Sequence, residues 1–167
     1  MRHLVGMLAL VLCASSFFTV VEAQAGSALD EALQARCAKT TCTIRNNPGG
    51  DVQLFQQAAQ EVMDEGKRLV IDGFCASACV VLADLARTNT CITADAQIAV
   101  HKASIIRVTG KTYVDGREVP TGRLLRREDP PDSDDINAWV NAHGGYPTKG
   151  VKIIPVKDAR QFWAMCK

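Results

Sequence analysis

Three stretches carry residue types suited to nucleophilic chemistry. Ser77 lies in Cys75-Ala76-Ser77-Ala78-Cys79, at the expected start of a helix, with neighbours small enough to leave its hydroxyl open. His101 follows 24 residues later (101 − 77), at the expected end of a strand. Asn47-Pro48-Gly49-Gly50 lies between an earlier strand and a helix. Glycines there let backbone N–H groups point outward, and a helix start favours negative charge, so the turn suits an oxyanion. The Ala78 N–H is also available, because the first N–H groups of a helix lack internal partners. Each feature alone has a plainer reading. Pro-Gly-Gly is usually a turn, a serine at a helix start usually a cap worth about 1 kcal/mol, and a histidine at a strand end usually structural.

The cysteines come next. Seven are present, and Cys13 falls in an N-terminal segment expected to be removed. Cys37, Cys42, Cys75, Cys79, Cys91 and Cys166 remain, an even set that reads as disulfides in an exported chain. Cys37 and Cys42 are close enough to staple a helix end to the following strand. The other four are expected to hold at least one further bridge. A competing reading makes Cys75, Cys79, Cys91 and His101 a zinc or redox site. Three residues separate Cys75 from Cys79, which is not the two-residue redox spacing, and export favours oxidised cysteines.

Export itself is read from the first residues. Met1-Arg2-His3 precedes an apolar run from Leu4 to Leu12 that continues through Phe17–Val21. Val21-Glu22-Ala23 and Ala23-Gln24-Ala25 both fit a cleavage site, giving a signal peptide of residues 1–23 or 1–25. The expected location is the bacterial periplasm or the exterior. Residues 26–167 then form one domain of ordinary size. No later stretch is apolar for long enough to span a bilayer, so no membrane partner is expected after cleavage. The net charge of +1 does not suggest nucleic acid. Arg123, Arg126 and Arg127 run into Glu128, Asp129, Asp132, Asp134 and Asp135, a mixed stretch that reads as a solvated loop.

The elements that must position Ser77 and His101 follow from periodicity. Leu29–Cys37 reads as a short helix and Cys42–Arg45 as a strand. Asp51–Glu65 is the clearest helix, with Val52, Phe55, Ala59, Val62 and Met63 on one face. Leu69-Val70-Ile71 is a buried strand, with Gly73–Ala76 the turn after it. Ser77–Ala86 is a helix apolar nearly all round and therefore internal. Cys91–Thr93 and Gln97–Val100 are short strands. Residues 104–119 suggest a hairpin or meander, with turns at Thr109-Gly110 and Asp115-Gly116. Ser133 caps a helix through His143, with Asp134 and Asp135 at its positive end. His143 in its last turn reads as a dipole partner, and Ile136, Trp139 and Val140 as a core stripe. A last helix is expected from Lys157 to Cys166, with Phe162 and Trp163 in the core. Strands alternating with helices make an α/β domain.

The order Asn46–Val52, then Gly73–Cys79, then Ile98–His101 resembles the superfamily of the Clp protease proteolytic subunit and crotonase. It resembles most a branch of exported bacterial proteins with a Cys-Ala-Ser-Ala-Cys signature. The likeness covers residues 42–101, and Ile154–Ala159 is similar to the family's Ser-x-x-Glu-Ala stretch. It implies repeated β-β-α units, with Ser77 as nucleophile, His101 as general base, and the N–H groups of Gly50 and Ala78 as the oxyanion hole. Three departures stand out. Val151 falls where the family's triad has aspartate, Asn47 stands where it has serine, and the mature chain expected after signal removal begins too close to residue 42 for the family's additional strand and helix, which implies an incomplete N-terminal part of the sheet.

The implied function is an exported serine hydrolase that cleaves a peptide or ester through an acyl-serine, with no cofactor. The substrate is not specified, and self-association is left open. The first alternative is a non-catalytic binding or assembly module of the same fold. The second is the Cys/His metal or redox site.

Overall fold

The computed structural model describes residues 27–35, 37–114 and 117–167. The expected signal segment with Cys13 and the turn expected at Asp115-Gly116 lie outside the described residues. The chain opens with helix α1 (Ala28–Leu33), shorter than expected because Gln34 turns left-handed at φ 51°. The Glu61 carboxylate accepts from Ser27 Oγ and from the N–H groups of Ala28 and Leu29 at 2.6–2.9 Å, which closes the start of α1. Strand β1 (Thr41–Asn47) follows, tied to the residues after α1 by the Cys37–Cys42 disulfide.

Helix α2 (Val52–Asp64) begins where Asp51 Oδ1 accepts the Gln53 N–H at 2.8 Å, and it buries Phe55, Ala58, Ala59 and Val62 at helical spacing. Strand β2 then runs unbroken from Arg68 to Ala76, through the segment expected to be a turn. Gly73 explains the difference. A Cβ there would lie 2.2 Å from the Arg45 carbonyl oxygen, so glycine lets β1 and β2 approach across an irregularity in register and the chain bends without leaving the sheet.

Helix α3 (Ala78–Leu85) is buried from Ala78 to Asp84, and only Leu85 among its large apolar residues reaches solvent. Strands β3 (Thr90–Ile92) and β4 (Gln97–Val100) both pair in parallel with β2, β3 beside its first half and β4 beside its second. Strands β5 (Ala103–Val114) and β6 (Arg117–Glu128) form a separate two-stranded hairpin. It is longer than the expected 104–119, and Thr109-Gly110 is an irregularity within it, not a turn. Arg123, Arg126, Arg127 and Glu128 therefore belong to a strand.

Helix α4 (Asp134–Ala142) starts at Ser133, whose hydroxyl contacts Asp84 and Asp135 instead of capping the backbone. Ile136 and Val140 are buried, while His143 ends the helix with Nδ1 2.7 Å from the Trp139 carbonyl and its ring stacked on Trp139. Strand β7 (Lys152–Ile154) pairs antiparallel with β4. The expected last helix shrinks to α5 (Val156–Ala159), and Ala164–Met165 form strand β8 beside β3. Trp163 is buried with Nε1 donating to the Ala83 carbonyl at 2.9 Å, and Cys166 is bonded to Cys91, so the tail is drawn onto the sheet edge.

The result is a mixed six-stranded sheet in the order β7-β4-β2-β3-β8, with β1 on the other side of β2, and helices packed against it. One hydrophobic core runs from Leu29 to Trp163, and no described side chain of β5 or β6 belongs to it. No helix among the described residues is long and apolar enough to cross a membrane.

Candidate active site

Strands β1, β2 and β4 run in one direction, with Asn47 beside Cys75 and Ala76 beside Ala99. Their carboxyl ends therefore lie in one row. The three segments singled out in the sequence start just beyond those ends: Pro48-Gly49-Gly50 after β1, Ser77 after β2, and His101 after β4. The carboxyl edge of a parallel sheet is where α/β proteins place their ligands.

Ser77 occupies the tight junction between β2 and α3 at φ 56°, ψ −124°. For a residue with a Cβ this backbone conformation costs about 1–3 kcal/mol and persists only where the surroundings impose it. Three surroundings do so here. The Ser77 N–H donates to the Ala99 carbonyl at 2.9 Å, and the Val80 N–H donates back to the Ser77 carbonyl at 2.8 Å. The Cys75–Cys79 disulfide closes the five-residue segment around Ser77. Gly49, at φ 84°, packs its backbone onto the junction. A Cβ on Gly49 would lie 2.5 Å from the Ala76 carbonyl oxygen and 2.8 Å from both Ser77 Cβ and the Ala78 nitrogen. Buried Asn47 shapes that loop, accepting the Gly49 N–H at 2.8 Å and donating to the Ala32 carbonyl at 3.0 Å. Glycine at 49 thus sets the close approach, and the Gly50 peptide follows directly. Neither the Gly50 nor the Ala78 N–H has a partner among the described residues.

His101 is half-buried, and its Nδ1 lies 2.8 Å from the Lys102 carbonyl oxygen. A carbonyl can only accept, so Nδ1 carries the proton and Nε2 presents its lone pair. The Lys102 N–H donates to the Pro147 carbonyl at 3.0 Å, and Lys102 Nζ pairs with Asp129 at 3.2 Å, so the residue that orients His101 is itself held. Among the described residues the Ser77 hydroxyl has no hydrogen bond to His101 or to any other group. Val151, expected from the resemblance to stand in place of an aspartate, is exposed just before β7 and supplies no carboxylate. A backbone carbonyl takes the orienting part.

Asp132 was expected in a solvated run and is buried instead. Tyr146 Oη lies 2.7 Å from both Asp132 Oδ2 and Asn137 Oδ1. The Asn137 amide is oriented by its Nδ2, which donates to the Asp132 carbonyl at 2.7 Å. One hydroxyl proton cannot serve two acceptors. With Asp132 ionised, Tyr146 donates to Oδ2 and not to Asn137; when Asp132 carries a proton it can donate to Tyr146, which then donates to Asn137. Burial, with the Asp84 carboxylate near, pushes the Asp132 pKa up to about 6. Asp132 Oδ1 is buried without a partner. Beside this cluster, Arg87 joins Asp84, Ser133 and Asp135 and fastens α3 to α4, and its contact holds the Asp135 carboxyl well below the usual range.

The remaining expectations sort by the disulfides. Cys37–Cys42, Cys75–Cys79 and Cys91–Cys166 use all six cysteines, which removes the thiolates that a zinc site with His101 would need. A depression of about 260 Å³ lies between the end of α1 and β1, lined by residues such as Leu33, Gln34, Thr43 and Asn47, and includes neither Ser77 nor His101. The serine stands at the sheet edge and not within that hollow. With Val151 unable to orient His101, the sequence left an aspartate of the 132–135 loop, a backbone carbonyl or water for that part, and the Lys102 carbonyl takes it; the burial of Asp132 against Tyr146 was not foreseen. No family model, curated protein or solved structure matches this chain.

Proposed function

We propose that the chain is an exported serine hydrolase of the Clp/crotonase kind that cleaves a peptide or ester through an acyl-serine. The observation that carries the reading is the Ser77 backbone at φ 56° between a strand and a buried helix. A non-glycine residue in that conformation, held by a disulfide and an abutting glycine, is the arrangement that lifts a serine nucleophile out of a sheet. Ser77 Oγ attacks the substrate carbonyl and gives its proton to His101 Nε2. The N–H groups of Gly50 and Ala78 receive the oxyanion, and collapse of the adduct expels the leaving group, which takes the proton from His101. Water activated by the same nitrogen then frees the acid. Hydrogen bonds of this kind are commonly long before substrate binds, so the open Ser77–His101 pair fits a resting enzyme. With a carbonyl in place of a carboxylate behind His101, the imidazolium is less stabilised and turnover is slow.

The test is mass spectrometry of the intact protein during turnover of p-nitrophenyl acetate. An acetyl adduct on Ser77, absent from Ser77→Ala and greatly slowed in His101→Ala, supports the reading. Hydrolysis that persists unchanged in Ser77→Ala contradicts it. A second reading, a binding module that keeps the fold, is favoured by the one observation that the Ser77 hydroxyl is not bonded to His101. It predicts no adduct and no turnover in the wild type.

A further inference from the structure

We propose that the β5–β6 hairpin is an arm that docks the protein on membrane surfaces rich in anionic phospholipid. This inference stands apart from the chemistry of Ser77. It starts from the two faces of the hairpin. Arg107 lies directly opposite Arg123, and Arg126, opposite Ile105, extends the same face. Like charges paired across strands destabilise a ribbon. Among the described residues the side chains of Arg107 and Arg123 have no ion pair or hydrogen bond, and that of Arg126 meets only Glu128 of its own strand, at 3.0 Å. The neighbouring pairs point the other way, Ile106 opposite Leu124 and Val108 opposite Gly122. On that side Val108 is 56% exposed and Leu124 44%, with Leu125 beside them at 47%.

A two-stranded ribbon outside the core is marginal in water, and this one adds uncovered apolar side chains and unpaired cations. One kind of surface answers both faces at once. At a bilayer interface the apolar side reaches the acyl boundary, while the arginines, on long aliphatic stems, reach back to lipid phosphates. Arginine suits phosphate because its fork binds two oxygens together. An acidic protein or a nucleic acid would match the arginines and leave Val108, Leu124 and Leu125 in water. A second copy covering the apolar side would leave the arginine pair unrelieved. No spanning segment is needed for such docking, so it revises the expectation of no membrane contact.

The experiment is co-sedimentation of the disulfide-intact protein with phosphatidylcholine vesicles, with and without phosphatidylglycerol. The proposal expects binding to the phosphatidylglycerol vesicles that weakens with added salt. Arg107→Ser with Arg123→Ser should lower the partition coefficient at least about tenfold. Val108→Ser with Leu124→Ser should also weaken it, although the charge is unchanged. Both variants should melt like the wild type, because the hairpin lies outside the core. A Tyr113→Trp variant gives a second readout, a blue shift of its emission on the same vesicles. Failure to bind these vesicles, equal binding to phosphatidylcholine alone, or binding that neither double variant weakens would overturn the proposal. So would a dimer in sedimentation that Val108→Ser with Leu124→Ser abolishes while vesicle binding persists.

Discussion

The carboxyl edge of the sheet and the β5–β6 hairpin begin two residues apart, at His101 and Ala103, yet they are built on opposite terms. At the sheet edge every backbone deviation is held from several sides. Ser77 is fixed by a disulfide, two backbone hydrogen bonds and the Gly49 backbone, and His101 by a peptide that is itself anchored. The hairpin has its own ladder and a root joined by Lys102–Asp129, and none of its described side chains shares in the core. Strain can be stored only where neighbours impose it, so a fixed serine can be held in the first region, while the second is free to adjust.

The largest expected difference comes from the disulfide at the far edge of the sheet. Cys91–Cys166 closes a loop of 75 residues, for which chain entropy gives about 4.5 kcal/mol. Cys91→Ala with Cys166→Ala should lower the melting temperature by on the order of 15 °C, at roughly 4 °C per kcal/mol. Replacing residues 104–127 with two glycines should shift it by only a few degrees. A hairpin deletion that costs as much as the disulfide would erase the contrast.

Next in size is the buried carboxyl. Asp132 has an ordinary value of 3.8 and about 6 when folded, so the native state holds the proton more tightly. The contribution of Asp132 to stability is fully present below about pH 4, falls as pH rises, and is lost above about pH 6. The rise corresponds to roughly 3 kcal/mol at 1.36 kcal/mol per pH unit. Asp135, held low by Arg87, acts in the opposite sense but mainly below pH 4, and it is too exposed to count fully. Denaturant midpoints between pH 4.5 and 7.5 should therefore decline in the wild type and flatten in Asp132→Asn. Midpoints that rise with pH would refute the protonated Asp132.

A smaller effect uses one substitution in both regions. Gly49→Ala forces a methyl group into the Ser77 junction at positive φ and should cost about 2 kcal/mol or more, with loss of any Ser77 reactivity. In the hairpin, Gly110→Ala meets only the Thr121 hydroxyl at 3.3 Å and should change stability by less than about 0.5 kcal/mol. Equal costs would mean that the junction is not held as tightly as the Gly49 contacts imply.

That Pro48–Gly50, Ser77 and His101 each follow a strand end was legible, because strand ends can be read from turn residues. The dihedral angles of Ser77 were not legible, since Gly49 and Ala99 impose them from distant parts of the chain. The second hairpin strand was misread for a related reason. Arg123–Glu128 has no hydrophobic alternation because neither of its faces packs on the core. Asp132 looked solvated in a run of charges, and only packing against Tyr146 and Asn137 makes it a buried acid. The last helix failed where Trp163 and the Cys91–Cys166 bond pull the tail into a strand.

The central claim is that the Ser77 junction presents an activated nucleophile. Its most direct test is a fluorophosphonate probe on the disulfide-intact protein, followed by peptide mapping. The account predicts one slow adduct, on Ser77. It should be absent from Ser77→Ala, strongly reduced in His101→Ala, and undiminished when the hairpin is deleted. No adduct after prolonged exposure, or an adduct that survives in Ser77→Ala, would contradict it.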